Sequence, residues 1–332
     1  MPELGFLVVR LGSLGDIVHT FPAVAALRKT FPEARIIWLT HPRWEFLVES
    51  ACLAAEVWTL EPRNLPSVRA ALSRIRKFRF ETAIDYQGLW KSAALPFLTR
   101  IPRRIGFSSA TIREYGVPIL YTDRVHVKSR HIADQNGELS LRAGSRQGTA
   151  PVRLRIDPAE IEKMQSGLHA RGIREYVVLS PGGGWRSKCW PAERYGALAK
   201  RLWSETGVRS LINFAPGEEG LVEATVAASG GARPMPLTGS LGQMMALLRG
   251  ASCVIAGDTG PLHLADALDT PVVALFGPTD PARNGLYFKS GVELRAPNVE
   301  STYKRQDQPH PSLLQLSVDE VFEAVQRLRV RA

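Results

Sequence analysis

Gly257-Asp258-Thr259-Gly260-Pro261-Leu262-His263-Leu264-Ala265-Asp266-Ala267-Leu268 is the stretch on which the fold turns. The apolar run Cys253–Ala256 precedes it and reads as a buried parallel strand. A small-residue helix follows, then a second apolar run, Val272–Phe276, that ends in Gly277-Pro278-Thr279-Asp280-Pro281. A strand that turns on glycine straight into a helix leaves the first helical N–H groups without intrahelical acceptors and aimed at the turn. Such a helix start attracts anions. Taken alone, the motif is either an ordinary tight turn or a phosphate site. A second Gly-rich turn so close behind, and a counterpart near the N-terminus, favour a phosphate-bearing ligand.

That counterpart is Arg10-Leu11-Gly12-Ser13-Leu14-Gly15-Asp16-Ile17-Val18-His19-Thr20, which follows the apolar run Phe6–Val9. Its glycines put Asp16 at a helix start, where a carboxylate is either a cap or, at the C-terminal end of a strand in an open α/β sheet, a general base. A third loop, Ser180-Pro181-Gly182-Gly183-Gly184-Trp185-Arg186-Ser187-Lys188-Cys189-Trp190-Pro191, exposes backbone and adds two cations, a pairing suited to a diphosphate. In Phe214-Ala215-Pro216-Gly217-Glu218-Glu219 a strand again ends in a Gly turn. Either glutamate could accept the hydroxyls of a ribose, or serve only the helix dipole. There is no P-loop, no GxSxG elbow and no metal-ligand spacing.

Short apolar runs alternate with amphipathic segments throughout. Strands are expected at Phe6–Val9, Arg35–Leu39, Val57–Leu60, Thr82–Asp85, Val177–Ser180, Ser210–Phe214, Cys253–Ala256 and Val272–Phe276. Helical patterns fall at 17–29, 66–77, 159–171, 192–206, 218–228 and 241–248. The rhythm predicts an α/β protein of two Rossmann-like, doubly wound parallel-sheet domains facing each other across a cleft. At 332 residues the chain is long enough for both. Polar, Gly-rich Leu141–Pro151 reads as the linker, followed by a short strand, so the domains are drawn at 1–150 and 151–332. The amphipathic helix 318–329 is expected to be able to pack back onto the N-terminal domain.

Hydrophobic content of 45% and charged content of 22% are those of a water-soluble globular protein. No run approaches the roughly 20 apolar residues of a membrane span, and the start of the chain does not resemble a signal peptide. Three scattered cysteines argue against a disulfide framework and fit the cytoplasm. The net charge of +10 points to an anionic partner. Between Arg100 and His131 seven basic residues stand against two acidic ones, half of that excess. This reads as a solvated basic face or an acidic acceptor site.

The pieces GSLGDIVHTFPA, DYQGLWKSA, SPGGGWRSKCWP, FAPGEE and GDTGPLHLADALDTPVVALFGPTDP occur in this order. Together they resemble the ADP-heptose:lipopolysaccharide heptosyltransferases, most closely the heptosyltransferase I branch. The resemblance runs from the first strand to about Tyr287 and implies a GT-B fold, with acceptor bound by the N-terminal domain and donor by the C-terminal one. It implies an inverting transfer of heptose from ADP-heptose to the octulosonic acid residue of the lipopolysaccharide inner core. By resemblance, Asp16 is the catalytic base. Ser180, Gly183, Arg186, Lys188, Glu218 or Glu219, Leu237, Thr238, Asp258, Thr259, Gly260 and His263 would bind the donor. Ser13, Gly15, Gln87, Lys91, Arg103, Arg104, Arg113, Lys128 and Arg130 would serve the acceptor side. No obligatory cofactor or metal is implied, and no nucleic acid. A lipid-linked acceptor would bring the enzyme to the cytoplasmic face of the inner membrane. The rival readings are a nucleotide-sugar epimerase or a transferase for another sugar, and a basic nucleic-acid binder.

Overall fold

A computed structural model describes residues 5–109, 112 and 114–329. The chain divides into two compact units between Arg155 and Ile156. The first unit holds a six-stranded parallel sheet: β1 (Gly5–Val9), β2 (Arg35–Thr40), β3 (Glu56–Thr59), β4 (Thr82–Asp85), β5 (Arg103–Phe107) and β6 (Asp123–Val125), in the order β3-β2-β1-β4-β5-β6. The second holds β7 (Tyr176–Ser180), β8 (Arg209–Asn213), β9 (Met235–Leu237), β10 (Cys253–Gly257), β11 (Val272–Phe276) and β12 (Gly291–Arg295), ordered β12-β11-β10-β7-β8-β9. Renumbered within each unit the two orders are identical, 3-2-1-4-5-6, the doubly wound arrangement. Each sheet therefore has one switch point, between β1 and β4 and between β7 and β10.

The eight strands given residue ranges above are all present, and the helices Ala192–Thr206 and Val318–Arg329 end where the periodicity places them. Central strands such as β1, β7, β10 and β11 are buried along their whole length, which is why they read as unbroken apolar runs. The strands that escaped notice are peripheral: β6, β9 and β12 are short or half-exposed edge strands, and β9 carries Pro236, which only an edge tolerates. β5 begins with two arginines. The helix expected over 17–29 is two helices, Leu14–Val18 and Phe21–Thr30, because Pro22 lies in the first turn of the second.

The linker is also revised. Ala150 N–H donates to the Pro22 carbonyl at 2.9 Å and Arg155 N–H to that of Ser50 at 2.8 Å. These bonds keep residues 150–155 on the first unit, five beyond the expected boundary, and no strand follows them before β7. The C-terminal helix Val318–Arg329 buries Val321, Phe322, Ala324 and Val325 in one cluster with Trp190, Tyr195 and Leu198. Its apolar face is thus used in the second unit's own core. No described helix is long and apolar enough to cross a membrane.

Candidate active site

In the second unit the loops leaving β7 and β10 meet over the switch point. The loop after Ser180 passes through three glycines to a turn of 3-10 helix, Arg186–Lys188. A Cβ on Gly257 would stand 2.2 Å from the Lys188 carbonyl oxygen. Only glycine admits that approach, so the close of β10 clamps the loop. Lys188 Nζ then donates to Asp258 Oδ2 at 2.6 Å, and Thr279 Oγ1, from the turn after β11, donates to the same oxygen at 2.7 Å. His263 Nε2 lies 2.9 Å from Asp258 Oδ1. The Asp258 side chain is 3% exposed and Lys188 14%.

Burial alone would raise the pKa of Asp258, but the His263 hydrogen bond and the Lys188 charge reverse this and hold the carboxyl well below the usual range. Asp258 is therefore a fixed anion. Its oxygens are taken up by three neighbours, and a second anion placed against it would be repelled. What it can do is hold Lys188 and His263 in place at the start of the helix Gly260–Ala267, whose N-cap is Thr259.

The three-glycine run threads between two groups. A Cβ on Gly183 would meet Thr259 Cγ2 at 2.5 Å, and one on Gly182 would meet the Glu218 carboxylate at 2.2 Å. Glu218 is half-buried and accepts from Ala215 N–H at 2.8 Å. Glu219 is exposed and accepts from Gly217 N–H at 3.1 Å and from its own backbone N–H. Leu237 O accepts from Phe214 N–H, so Leu237 and Thr238 lie beside the same turn. All twelve donor-side residues lie at or just after the C-terminal ends of β7, β8, β9 or β10 and share one edge of the sheet.

In the first unit Ser13 is the N-cap of the helix Leu14–Val18 and Asp16 its third residue, so Asp16 is not the cap itself. Asp16 Oδ2 accepts from Ser13 N–H at 3.0 Å and from its hydroxyl at 2.9 Å. Asp16 Oδ1 pairs with Arg10 Nη2 at 2.7 Å; the arginine side chain is 8% exposed and the carboxylate 42%. Arg10 Nη1 donates in turn to the Tyr86 carbonyl. Gln87 Oε1 accepts from Leu11 N–H at 2.7 Å. The turn after β4 thus fixes the loop after β1, again over the switch point.

Beneath that turn lies Asp85, fully buried. It accepts from Gln87 N–H at 2.9 Å, Gly88 N–H at 3.2 Å, the Ser92 hydroxyl at 2.8 Å and the Tyr121 hydroxyl at 2.7 Å. Burial outweighs these bonds and pushes its pKa up.

Ser13, Gly15, Gln87, Lys91, Lys128 and Arg130 all follow the C-terminal ends of β1, β4 or β6, the edge that carries Asp16. Arg103 and Arg104 do not. They open β5, paired with Thr82 and Ala83 at the start of β4, so at roughly 3.3 Å per residue they stand about 10 and 7 Å short of that strand's C-terminal end at Asp85. They are also occupied: Arg103 Nη2 donates to the Arg142 carbonyl at 2.6 Å, and Arg104 to the carbonyls of Leu120 and Ile101 at 2.8 and 2.6 Å. Their placement on the acceptor side is corrected accordingly. Arg113 lies outside the described residues. Two residues went unnoticed in the sequence: Arg10, a cation closing an apolar strand, and Thr279, in a turn noted only for its glycine. Among the described residues no group of three or more His, Cys, Asp or Glu side chains could hold a metal ion.

Two doubly wound parallel sheets in one chain, one of them carrying a lysine, a histidine and a helix start over its switch point, are the architecture of the GT-B fold. The family model described as "Glycosyltransferase family 9 (heptosyltransferase)" matches residues 68–312, and the chain belongs to that family. It is a glycosyltransferase. Lipopolysaccharide heptosyltransferase 1 of Escherichia coli is 28% identical over 306 residues, 88% of this chain and 93% of that protein. The enzyme of the same name from Pseudomonas aeruginosa is 28% identical over 302 residues, covering 87% and 82%. The E. coli heptosyltransferase WaaC solved with ADP superposes with a TM-score of 0.75 at 27% identity, over 98% of this chain and all of that one. E. coli heptosyltransferase II shares the fold, with a TM-score of 0.83 at 21% identity over 99% of each chain. Relatives also carry the names heptosyltransferase 2 and 3.

Proposed function

We propose that this chain transfers heptose from ADP-heptose to the octulosonic acid residue of the lipopolysaccharide inner core, with inversion at the anomeric carbon. The observation that carries the donor half is the Lys188–Asp258–His263 cluster set against a glycine loop and a helix N-terminus. This arrangement presents positive charge and backbone N–H groups to a diphosphate. The relatives named heptosyltransferase 1, and the WaaC structure holding ADP, support the choice of sugar and nucleotide.

The acceptor hydroxyl oxygen bonds to the anomeric carbon as the bond from that carbon to the diphosphate oxygen breaks. Asp16 takes the hydroxyl proton and ADP departs with the electron pair. One displacement inverts the centre. ADP is a weak base and needs no proton to leave. The growing charge on it is met by Lys188, by His263 and by the N–H groups at Thr259 and Gly260; one such preorganised donor is worth about 3 kcal/mol. Asp258 acts through Lys188 and His263 rather than on phosphate. Glu218, held against the glycine loop, accepts the ribose hydroxyls, and Leu237 and Thr238 flank the adenine. On the acceptor side Ser13, Gly15 and Gln87 shape the loop around Asp16, while Lys91, Lys128 and Arg130 meet an anionic core sugar. A lipid-linked acceptor places the work at the cytoplasmic face of the inner membrane.

The test is a screen of ADP-, UDP-, GDP- and CDP-sugars with and without the lipopolysaccharide precursor, with the product's anomeric configuration read by NMR. Transfer only from the ADP-sugar, only with acceptor and with inversion, is expected. Turnover of the nucleotide sugar without acceptor, or retention, would overturn the reading.

A further inference from the structure

The helix Trp90–Leu98 starts where β4 ends, at the edge that carries Asp16. It buries Ser92, Ala93, Leu95 and Pro96. Trp90, Ala94, Phe97 and Leu98 recur at i, i+4, i+7 and i+8, which is one helical stripe, and the three large ones are exposed. A second element continues the stripe. The 3-10 turn Val117–Leu120 packs through Val117 and Leu120 on Ala93. A Cβ on Gly116 would touch the Trp90 indole at 3.2 Å. Either side of that contact, Tyr115 is 97% exposed and Ile119 69%. Five large apolar side chains therefore gather on one face with nothing described over them.

The rim is basic. Arg104 sits 5.6 Å from the Phe97 ring centroid, Arg76 Nη2 reaches the Leu98 carbonyl at 3.4 Å, and Lys91 and Arg100 are exposed at the two ends of the helix. Glu114, bonded to Trp90 N–H, is the acid named at this face. Exposed tryptophan, phenylalanine and tyrosine ringed by lysine and arginine are the composition of a surface that lies in the headgroup region of an anionic bilayer. Aromatic rings suit that interface, and each nearby cation is drawn to the negative leaflet.

We infer that this face, Trp90, Phe97, Leu98, Tyr115 and Ile119 with its basic rim, docks the chain onto an anionic phospholipid bilayer. It deepens the acceptor reading above and rests on it for its purpose, since it would set the Asp16 edge beside a lipid-anchored substrate. The bilayer contact itself needs no catalysis.

The test is co-sedimentation of the full chain with vesicles of phosphatidylethanolamine and phosphatidylglycerol, and with neutral phosphatidylcholine vesicles. The variant Phe97→Ser/Tyr115→Ser/Ile119→Ser changes only exposed side chains. It is expected to partition at least about tenfold less onto the anionic vesicles, while both chains ignore the neutral ones and salt weakens the parent's binding. Activity of both on a deacylated, water-soluble acceptor is read in parallel and should be equal, so failure of the catalytic reading shows there and failure of docking shows on the vesicles. Equal partitioning of variant and parent, binding to neutral vesicles as tight as to anionic ones, or loss of a dimer with vesicle binding intact would each overturn the inference.

Discussion

Arg10 and Asp16 form a 2.7 Å ion pair across the turn that leaves β1, with the cation buried and the carboxylate open to solvent. The asymmetry is what a positioned base requires. A buried guanidinium is costly unless paired, and the two terminal nitrogens of Arg10 are taken up by Asp16 and the Tyr86 carbonyl. The carboxylate gains a fixed orientation and keeps a face open to solvent, as the proposed base requires.

Arg10→Met should lower kcat by roughly tenfold to a hundredfold with ADP affinity within twofold of the parent, whereas Arg10→Lys should recover part of the loss. Steady-state kinetics beside calorimetric ADP titration checks this. An equal loss in ADP affinity would assign Arg10 to folding instead.

Lys188→Ala removes the cation proposed to face the diphosphate and should weaken ADP binding roughly tenfold to a hundredfold. Glu218→Gln should weaken ADP binding, while Glu219→Gln, altering an exposed residue, should not. Titration calorimetry on the three variants separates the roles.

Asp258 adds a pH dependence whose sign is fixed. Its pKa is depressed in the folded chain, so its stabilising contribution is complete above about pH 4, the ordinary carboxylate range, and is lost as acid protonates it. Asp258→Asn leaves Lys188 without its buried partner and should cost about 3–5 kcal/mol at neutral pH. Urea unfolding across the acid range should show a flatter acid limb for the variant than for the parent.

Cys189 lies in the same loop yet should be inert. Burial, aided by Glu218, pushes its thiol up to about 11, and the thiolate is the reactive form. Mass spectrometry after iodoacetamide at neutral pH should find the label on exposed Cys52 first, with Cys189 modified only on unfolding.

The sequence made the donor edge readable because each glycine turn sits directly behind an apolar strand. In a parallel sheet every such turn lands on the same edge, so Ser180, Glu218 and Asp258 needed no further information to be grouped. The choice between Glu218 and Glu219 was not readable, since it depends on which carboxylate faces Gly182. The basic stretch misled for a related reason. Arg103 and Lys128 are near in sequence, but β5 carries the chain from one edge of the sheet to the other, and charge counted along the chain ignores strand polarity. Thr279 was hidden because its partner lies 21 residues away, across a strand.

The most direct test of the central claim is the rate of heptose transfer by Asp16→Asn at saturating donor and acceptor, with ADP affinity measured on the same sample. Loss of a general base should lower kcat by about a hundredfold to ten-thousandfold and leave ADP affinity unchanged. Transfer at the parent's rate would contradict the account.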